Sequence, residues 1–312
     1  MSYGRYKLSI VSAIYGVEPY IEKFAETVLS QSYDNIEFVF VNDGTRDRSM
    51  EILEQLISSK FEHLRSKIVV VTQENQGLPM ARRNGILRAT GDYVLFADSD
   101  DWLEIDAAEK IMEKVEQTDA DIVYFDIVKE YGDKRSVKRE REYTAETREL
   151  WIENIFNYKS HGYTVTKCFR RSLYTNNTIY TPKLGMHEDI YLMSQIIYYA
   201  RSIVHLNEVL YHYRKDNENA MCAADRRRRH IASSRNLLDL YDHYRHDIDN
   251  SPIRRVAGGI VLRAGWHSLI HGIDLYAENP WLSEAVAKAK ISTKYRTPIL
   301  FQSIVKLCNL FK

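Results

Sequence analysis

Tyr93-Val94-Leu95-Phe96-Ala97-Asp98-Ser99-Asp100-Asp101-Trp102 decides the fold. An unbroken apolar run ends abruptly in carboxylates. A strand covered on both faces needs that continuity, and such strands are found in parallel sheets flanked by helices. Alternation along an extended segment puts Asp98 and Asp100 on the same side, roughly 6–7 Å apart. Clustered carboxylates repel unless a cation neutralises them. All-oxygen donors suit Mg²⁺ or Mn²⁺, with one carboxylate free to reach a ribose hydroxyl. Asp101, just before Trp102, reads as the cap of the next helix.

Upstream the same pattern recurs in Ile36-Glu37-Phe38-Val39-Phe40-Val41-Asn42-Asp43-Gly44. Strands are predicted at 8–14, 36–41, 68–72 and 93–97, alternating with helices at 19–31, 47–61 and 78–89. That alternation implies βαβ units and a mostly parallel α/β sheet, with ligands bound beyond the strands' carboxyl ends. Downstream, a helix at 105–117 and a strand at 121–128 lead into a charged hairpin or loop at 129–141. A helix at 146–158, short strands, a helix at 188–200 and strands at 203–206 and 209–213 follow. Beyond residue 225 the pattern is helical, which predicts a catalytic domain over 1–225 and a helical extension over 226–312.

Composition narrows the function classes. Lys+Arg and Asp+Glu are 43 each, so bulk charge gives no footprint for nucleic acid. Cys168, Cys222 and Cys308 form no CxxC pair, the pattern of reduced thiols in a cytoplasmic protein. The amino-terminal residues lack a signal-peptide core, and no apolar run reaches membrane-spanning length.

Four further features carry chemistry. Asp43 is either a turn or capping residue or an acceptor of hydrogen bonds from a base or ribose. In Gly77-Leu78-Pro79-Met80-Ala81-Arg82-Arg83, a glycine and a first-turn proline open a helix, and Arg82 or Arg83 can face phosphate or solvent. His187-Glu188-Asp189 marks a helix start, where acids serve as capping groups or, alternatively, as a general base. Arg226 to Arg229 reads as a solvated face.

Taken in order, these segments resemble the family 2 glycosyltransferases of GT-A fold across roughly residues 7–220. The match is carried by residues 9–15, Val41-Asn42-Asp43-Gly44-Thr45-Arg46-Asp47, Glu74-Asn75-Gln76-Gly77-Leu78, Ala81-Arg82, Gly91-Asp92-Tyr93, residues 98–102, His187-Glu188-Asp189 and Tyr211-His212-Tyr213-Arg214. The resemblance implies a GT-A, Rossmann-like sheet and inverting, metal-dependent transfer of a hexosyl or N-acetylhexosaminyl group from a nucleoside-diphosphate sugar, UDP-linked by preference. It assigns Ala13 and Tyr15 to the nucleobase pocket, Asp43 to the base and Asp98 to the ribose side. Asp100 falls to the Mn²⁺ or Mg²⁺ ion bridging the diphosphate, Asp189 to the base and Glu188 to the acceptor pocket. Ala13 stands where the family usually has proline, Gly16 where it has asparagine, and Asn84 is displaced by Arg83.

The family further implies a glycan or lipid-linked glycan acceptor in surface-polysaccharide synthesis. Two other classes make different demands on the residues. A nicotinamide-dependent oxidoreductase needs a glycine fingerprint, and Ile14-Tyr15-Gly16-Val17-Glu18 has one glycine. A catalytically silent nucleotide- or carbohydrate-binding module predicts donor binding without transfer. Residues 285–312 lack acids, carry six Lys or Arg side chains and are apolar at helical intervals. That tail suits the inner face of a membrane, the catalytic domain or a second subunit of a homodimer.

Overall fold

The computed structural model describes residues 4–132, 134–138, 147–183, 185–217, 226–273 and 275–282. It divides into two compact units, Met1–Ala224 and Asp225–Lys312.

The first unit is built on β1 (Leu8–Ile14), β2 (Ile36–Asn42), β3 (Ile68–Thr72) and β4 (Tyr93–Phe96), in the order β3-β2-β1-β4 and parallel throughout. Helices α1 (Ile21–Leu29), α2 (Ser49–Lys60) and α3 (Leu78–Arg88) make the crossovers. Ile21, Phe24, Ala25 and Val28 are the buried stripe of α1, at the helical spacing that one covered face requires. On α3, a Cβ at Gly85 would lie 2.3 Å from Val11 Cγ1 and 3.2 Å from Val41 Cγ2. Only a residue without a side chain lets α3 sit this close to β1 and β2. One turn earlier on the same helix is Arg82.

The sheet then turns mixed. After β5 (Trp102–Leu103) and α4 (Ala107–Thr118) come β6 (Ile122–Tyr131) and β7 (Lys134–Lys138), and then α5 (Arg148–Phe156), β8 (Lys167–Arg170) and α6 (Ser172–Thr175). Last come α7 (Glu188–Tyr199) and β9 (Ile203–Arg214). The order continues β4-β8-β6-β9-β5, with β7 paired to β6. β8 runs antiparallel to both β4 and β6, whereas β6 and β9 are parallel.

Parallel alternation is thus confined to the first third, and short antiparallel strands extend it. The charged 129–141 segment includes a hairpin, β6 into β7. The two strands expected near 203–213 are one strand, β9, whose register shifts opposite Asp126. Trp102 begins β5 instead of a helix, so Asp101 caps nothing there.

In the second unit, α8 (Arg226–Tyr244), α9 (Ala257–His271) and α10 (Leu275–Glu278) follow. Leu238, Val261, Ala264, Leu275 and Leu282 form its core, with Tyr241 stacked on Trp281 at 5.5 Å. The four arginines open α8, where Arg227 donates from the surface to the His271 carbonyl. The amphipathic 285–312 segment lies outside the described residues. Among those described, no helix is long and apolar enough to cross a membrane.

Candidate active site

Three strand ends converge at one edge of the sheet. β1 and β4 lie side by side, and Ser99 Oγ donates to the Ala13 carbonyl at 2.7 Å. On the other flank of β1, Asp43 N donates to the Ile14 carbonyl. Ala13, Asp43 and the 98–101 loop are therefore neighbours at the carboxyl ends, where open α/β sheets bind ligands. Tyr15, just past β1, is 53% exposed.

Asp43 is engaged by the protein. Its Oδ1 accepts from Gln73 Nε2 at 2.7 Å and Gln76 N at 2.9 Å, and its Oδ2 from Gly77 N at 2.9 Å. The side chain is buried. Here the carboxylate shapes the loop that leads into α3, a use that the direct base contact expected from the sequence did not include.

Arg82 is the centre of the site, and only 3% of it is exposed. Nη2 donates to Asp98 Oδ1 at 2.8 Å; Nη1 donates to Asp189 Oδ1 at 2.6 Å and Glu188 Oε1 at 3.2 Å. One guanidinium thus joins the β4 loop to the start of α7. Arg83, the other arginine open in the sequence, points to solvent. Thr164 Oγ1 adds a second donor to Asp189 Oδ1 at 2.9 Å.

Electrostatics follow from three carboxylates sharing one buried cation. Burial opposes the Arg82 charge, but Asp98, Asp189 and Glu188 outweigh it and hold the guanidinium above its ordinary value. Burial raises the Glu188 carboxyl, Asp189 adds to the effect, and Arg82 opposes it, leaving it pushed up to about 8. Asp98 is raised too, by burial first and by Asp100 and Asp189 against the pull of Arg82. Burial and neighbouring like charge thus act on Glu188 and Asp98 in the same direction.

Asp100 and Asp101 hang from the end of β9. Asn217 Nδ2 donates to Asp100 Oδ2 at 2.7 Å, and Arg214 Nε donates to the Asp100 carbonyl at 2.9 Å. Asp101 is buried, accepting from Tyr211 Oη at 2.7 Å and Arg214 N at 2.7 Å. Its carboxyl is pushed well up, by burial first and then by Asp100 and Asp98. Tyr211 Oη in turn accepts from Asp98 N at 3.0 Å. The sequence marked Tyr211 to Arg214 as a strand, but Asp101, Thr164, Asn217 and the Tyr211 hydroxyl were not read as parts of the site. Their contacts span 25 to 117 residues, beyond any local pattern.

The donor chemistry fits a hard divalent ion. Asp100 keeps one carboxylate oxygen not taken by Asn217, at the partly exposed crevice. Among the described residues no three His, Cys, Asp or Glu side chains converge as a self-sufficient metal cage. A single carboxylate completed by substrate phosphates and waters is a normal arrangement for Mg²⁺.

Residues 9–181 match the family described as glycosyl transferase family 2. The chain belongs to that family. Among its relatives, a putative glycosyltransferase, EpsH of Bacillus subtilis, is 32% identical over 213 residues, 66% of this chain and 60% of EpsH. The glycosyltransferase GlyA of Streptococcus pneumoniae is 30% identical over 67% of this chain and 30% of its own length. This family 2 chain therefore spans less than two thirds of both relatives. Of solved structures, S. aureus TarS residues 1–349 with UDP-GlcNAc aligns at a TM-score of 0.65 and 20% identity, covering 91% of this chain and 79% of that one. The GT-A fold is shared with that structure.

Proposed function

We propose that this family 2 protein is an inverting glycosyltransferase, taking a sugar from a nucleoside-diphosphate donor to an acceptor hydroxyl. The observation that carries the reading is the Arg82 clamp. It sets Asp189, 91 residues further along the chain than Asp98, within reach of the same guanidinium. Asp98 and Asp189 meet on Arg82, Asp100 follows Asp98 by two residues, and Asp43 stands at the neighbouring end of β2, which supports a shared crevice.

In this reading Tyr15, Ala13 and the loop held by Asp43 border the base, and Asp98 faces the ribose. Asp100 would hold the Mn²⁺ or Mg²⁺ ion, which when bound offsets charge on the diphosphate. Asp189, kept in place by Thr164 and Arg82, takes the proton of the acceptor hydroxyl as its oxygen attacks the anomeric carbon. Glu188, its carboxyl pushed upward by burial and by Asp189, stands beside that base and borders the acceptor pocket.

UDP is the favoured nucleotide, supported by the resemblance and by the UDP-GlcNAc complex of the S. aureus structure. A divalent ion is supported by the mannosyltransferase of Pyrobaculum calidifontis described with GDP-Man and Mn²⁺, which aligns at a TM-score of 0.53 and 14% identity. A surface glycan or lipid-linked glycan as acceptor is supported by relatives such as the minor teichoic acid biosynthesis protein GgaB of Bacillus subtilis, 26% identical over 78% of this chain. The basic, amphipathic 285–312 sequence fits work at the inner face of a membrane.

Incubation with Mn²⁺ and a panel of UDP-, GDP- and dTDP-sugars, followed by measurement of free nucleoside diphosphate, tests the reading. Release from one donor, abolished by EDTA, is the expected result. Donor binding with no release under any condition would favour the silent binding module instead.

A further inference from the structure

Lys167 opens β8 and is completely buried. An ammonium inside a protein is costly unless its three hydrogens meet oxygens. Here Nζ donates to the His161 carbonyl at 3.1 Å, the Tyr163 carbonyl at 3.1 Å and Thr166 Oγ1 at 3.2 Å. All three acceptors belong to the turn that runs into β8, so the charge fastens one short piece of backbone. Two more bonds close the same turn. Lys167 N donates to the Thr164 carbonyl at 3.2 Å, and Thr166 Oγ1 donates to the Tyr163 carbonyl at 3.3 Å.

That turn carries Thr164. Its hydroxyl donates to Asp189 Oδ1 at 2.9 Å, the oxygen that also accepts from Arg82 Nη1 at 2.6 Å. Both bonds end on Oδ1, which fixes the rotation of the carboxylate and leaves Oδ2 for the acceptor's proton. Thr164 is itself buried, so it holds the carboxylate and does not meet substrate.

The turn also rests on the helix it serves. A Cβ at Gly162 would lie 3.0 Å from Ile190 Cγ1, on the first turn of α7, and 3.2 Å from Ile155 Cγ2 on α5. Movement of the turn is therefore felt at Asp189 by direct packing as well as through Thr164. Catalysis is sensitive to such movement, because misplacing a reacting atom by about 1 Å can slow turnover about 10²-fold.

We propose that Lys167 is a positioning residue for sugar transfer: its buried ammonium sets the 161–166 turn so that Thr164 orients Asp189, with Oδ2 turned to the acceptor hydroxyl. The assignment rests on the glycosyltransferase reading and gives that reaction a residue that touches neither donor nor acceptor. A lysine that only stabilised the fold would lower the urea midpoint without singling out turnover.

Lys167→Met removes the ammonium at similar length, Thr164→Val removes the hydroxyl at similar shape, and Thr164→Ser retains it. Full-length protein is given Mn²⁺ and the nucleotide sugar it turns over fastest. Release of nucleoside diphosphate is followed with a p-nitrophenyl glycoside as acceptor or, where none is used, with water. The expected kcat is about 10²-fold lower in Lys167→Met. In Thr164→Val it is about tenfold lower, the scale for a hydrogen bond to a charged group. Donor Kd keeps its parental value in both, and Thr164→Ser behaves as the parent. Adding Thr164→Val to Lys167→Met lowers kcat no further, because both changes release the same carboxylate. Parental kcat in Lys167→Met, donor affinity lost in step with kcat, or a double variant slowed by the product of the single effects overturns the proposal. If Lys167→Met does not fold, Lys167→Gln, with two amide donors, replaces it. Loss of the fold in both makes Lys167 a folding residue and overturns its positioning role. If the parent turns over no donor, the glycosyltransferase reading fails instead, and a crystal structure of the folded Lys167 variant decides the turn's part. An Asp189 carboxylate displaced from its parental place supports that part; an unmoved one removes it.

Discussion

Two buried carboxylate nodes lie at opposite ends of the same strands and are built on opposite principles. At the amino ends of β1, β2 and β4, the single carboxylate of Glu37 accepts from Lys7 Nζ, Ser9 Oγ, Thr90 Oγ1, Thr90 N and Gly91 N, all within 3.1 Å. At the carboxyl ends, a single guanidinium serves Asp98, Glu188 and Asp189. Burial alone would raise both glutamates. Surplus donors pull Glu37 down to about 2, whereas crowding by like charge leaves Glu188 at about 8. The first node ties strands together. The second stores unfavourable charge that a cation or a transferable proton can relieve, which is a chemical capacity and not a fastening.

Breaking the second node has the largest expected effect. Asp189→Asn removes the proposed proton acceptor and should lower turnover by about 10²–10⁴-fold, with donor affinity near the parental value. Steady-state kinetics beside calorimetric donor titration checks it; parental turnover would move the base elsewhere. Next is Arg82→Met, which leaves three acids without their buried partner. Urea denaturation should show a loss of about 3–5 kcal/mol, the scale for unpairing a buried ion. A small loss would mean that solvent already screens this node.

Asn217→Ala sharpens the comparison with a milder change. It frees the Asp100 carboxylate without removing it, and should weaken the Mn²⁺ dependence of donor binding about tenfold, as loss of a supporting hydrogen bond does at metal ligands. Titration of Mn²⁺ at fixed donor measures this. The smallest effect belongs to the first node. The Glu37 carboxyl is lowered on folding from 4.5 to about 2, so its stabilising share is complete above pH 4.5 and lost as pH falls towards 2. Glu37→Gln should therefore unfold at a higher pH in acid titrations followed by circular dichroism, with sugar transfer at neutral pH unchanged.

The sequence disclosed what local pattern can encode. Apolar runs closing on Asp43 and Asp98 marked β2 and β4 correctly, because strand burial and strand-end chemistry are written in consecutive residues. Gly77 and Pro79 likewise announced the start of α3. Arg82 and Arg83 were indistinguishable by type; only the helix's orientation on β1 and β2 makes one buried and the other solvated. Asp101 looked like a cap because its true partners, Tyr211 and Arg214, arrive from β9. The antiparallel placement of β8 between β4 and β6, and of β5 at the sheet edge on β9, was equally hidden, since it depends on pairing and not on periodicity.

One consequence concerns where this fold can be cut. The family match stops at residue 181, yet Asp189 lies beyond it, and Asp100 and Asp101 are steadied from Arg214 and Asn217. A piece of the chain ending at 181 would keep β1 to β4 and their apolar packing while its aspartate loop lost its moorings. Any minimal working fragment has to extend through Asn217, and swaps between relatives should exchange the 98–102 loop and the end of β9 as a pair.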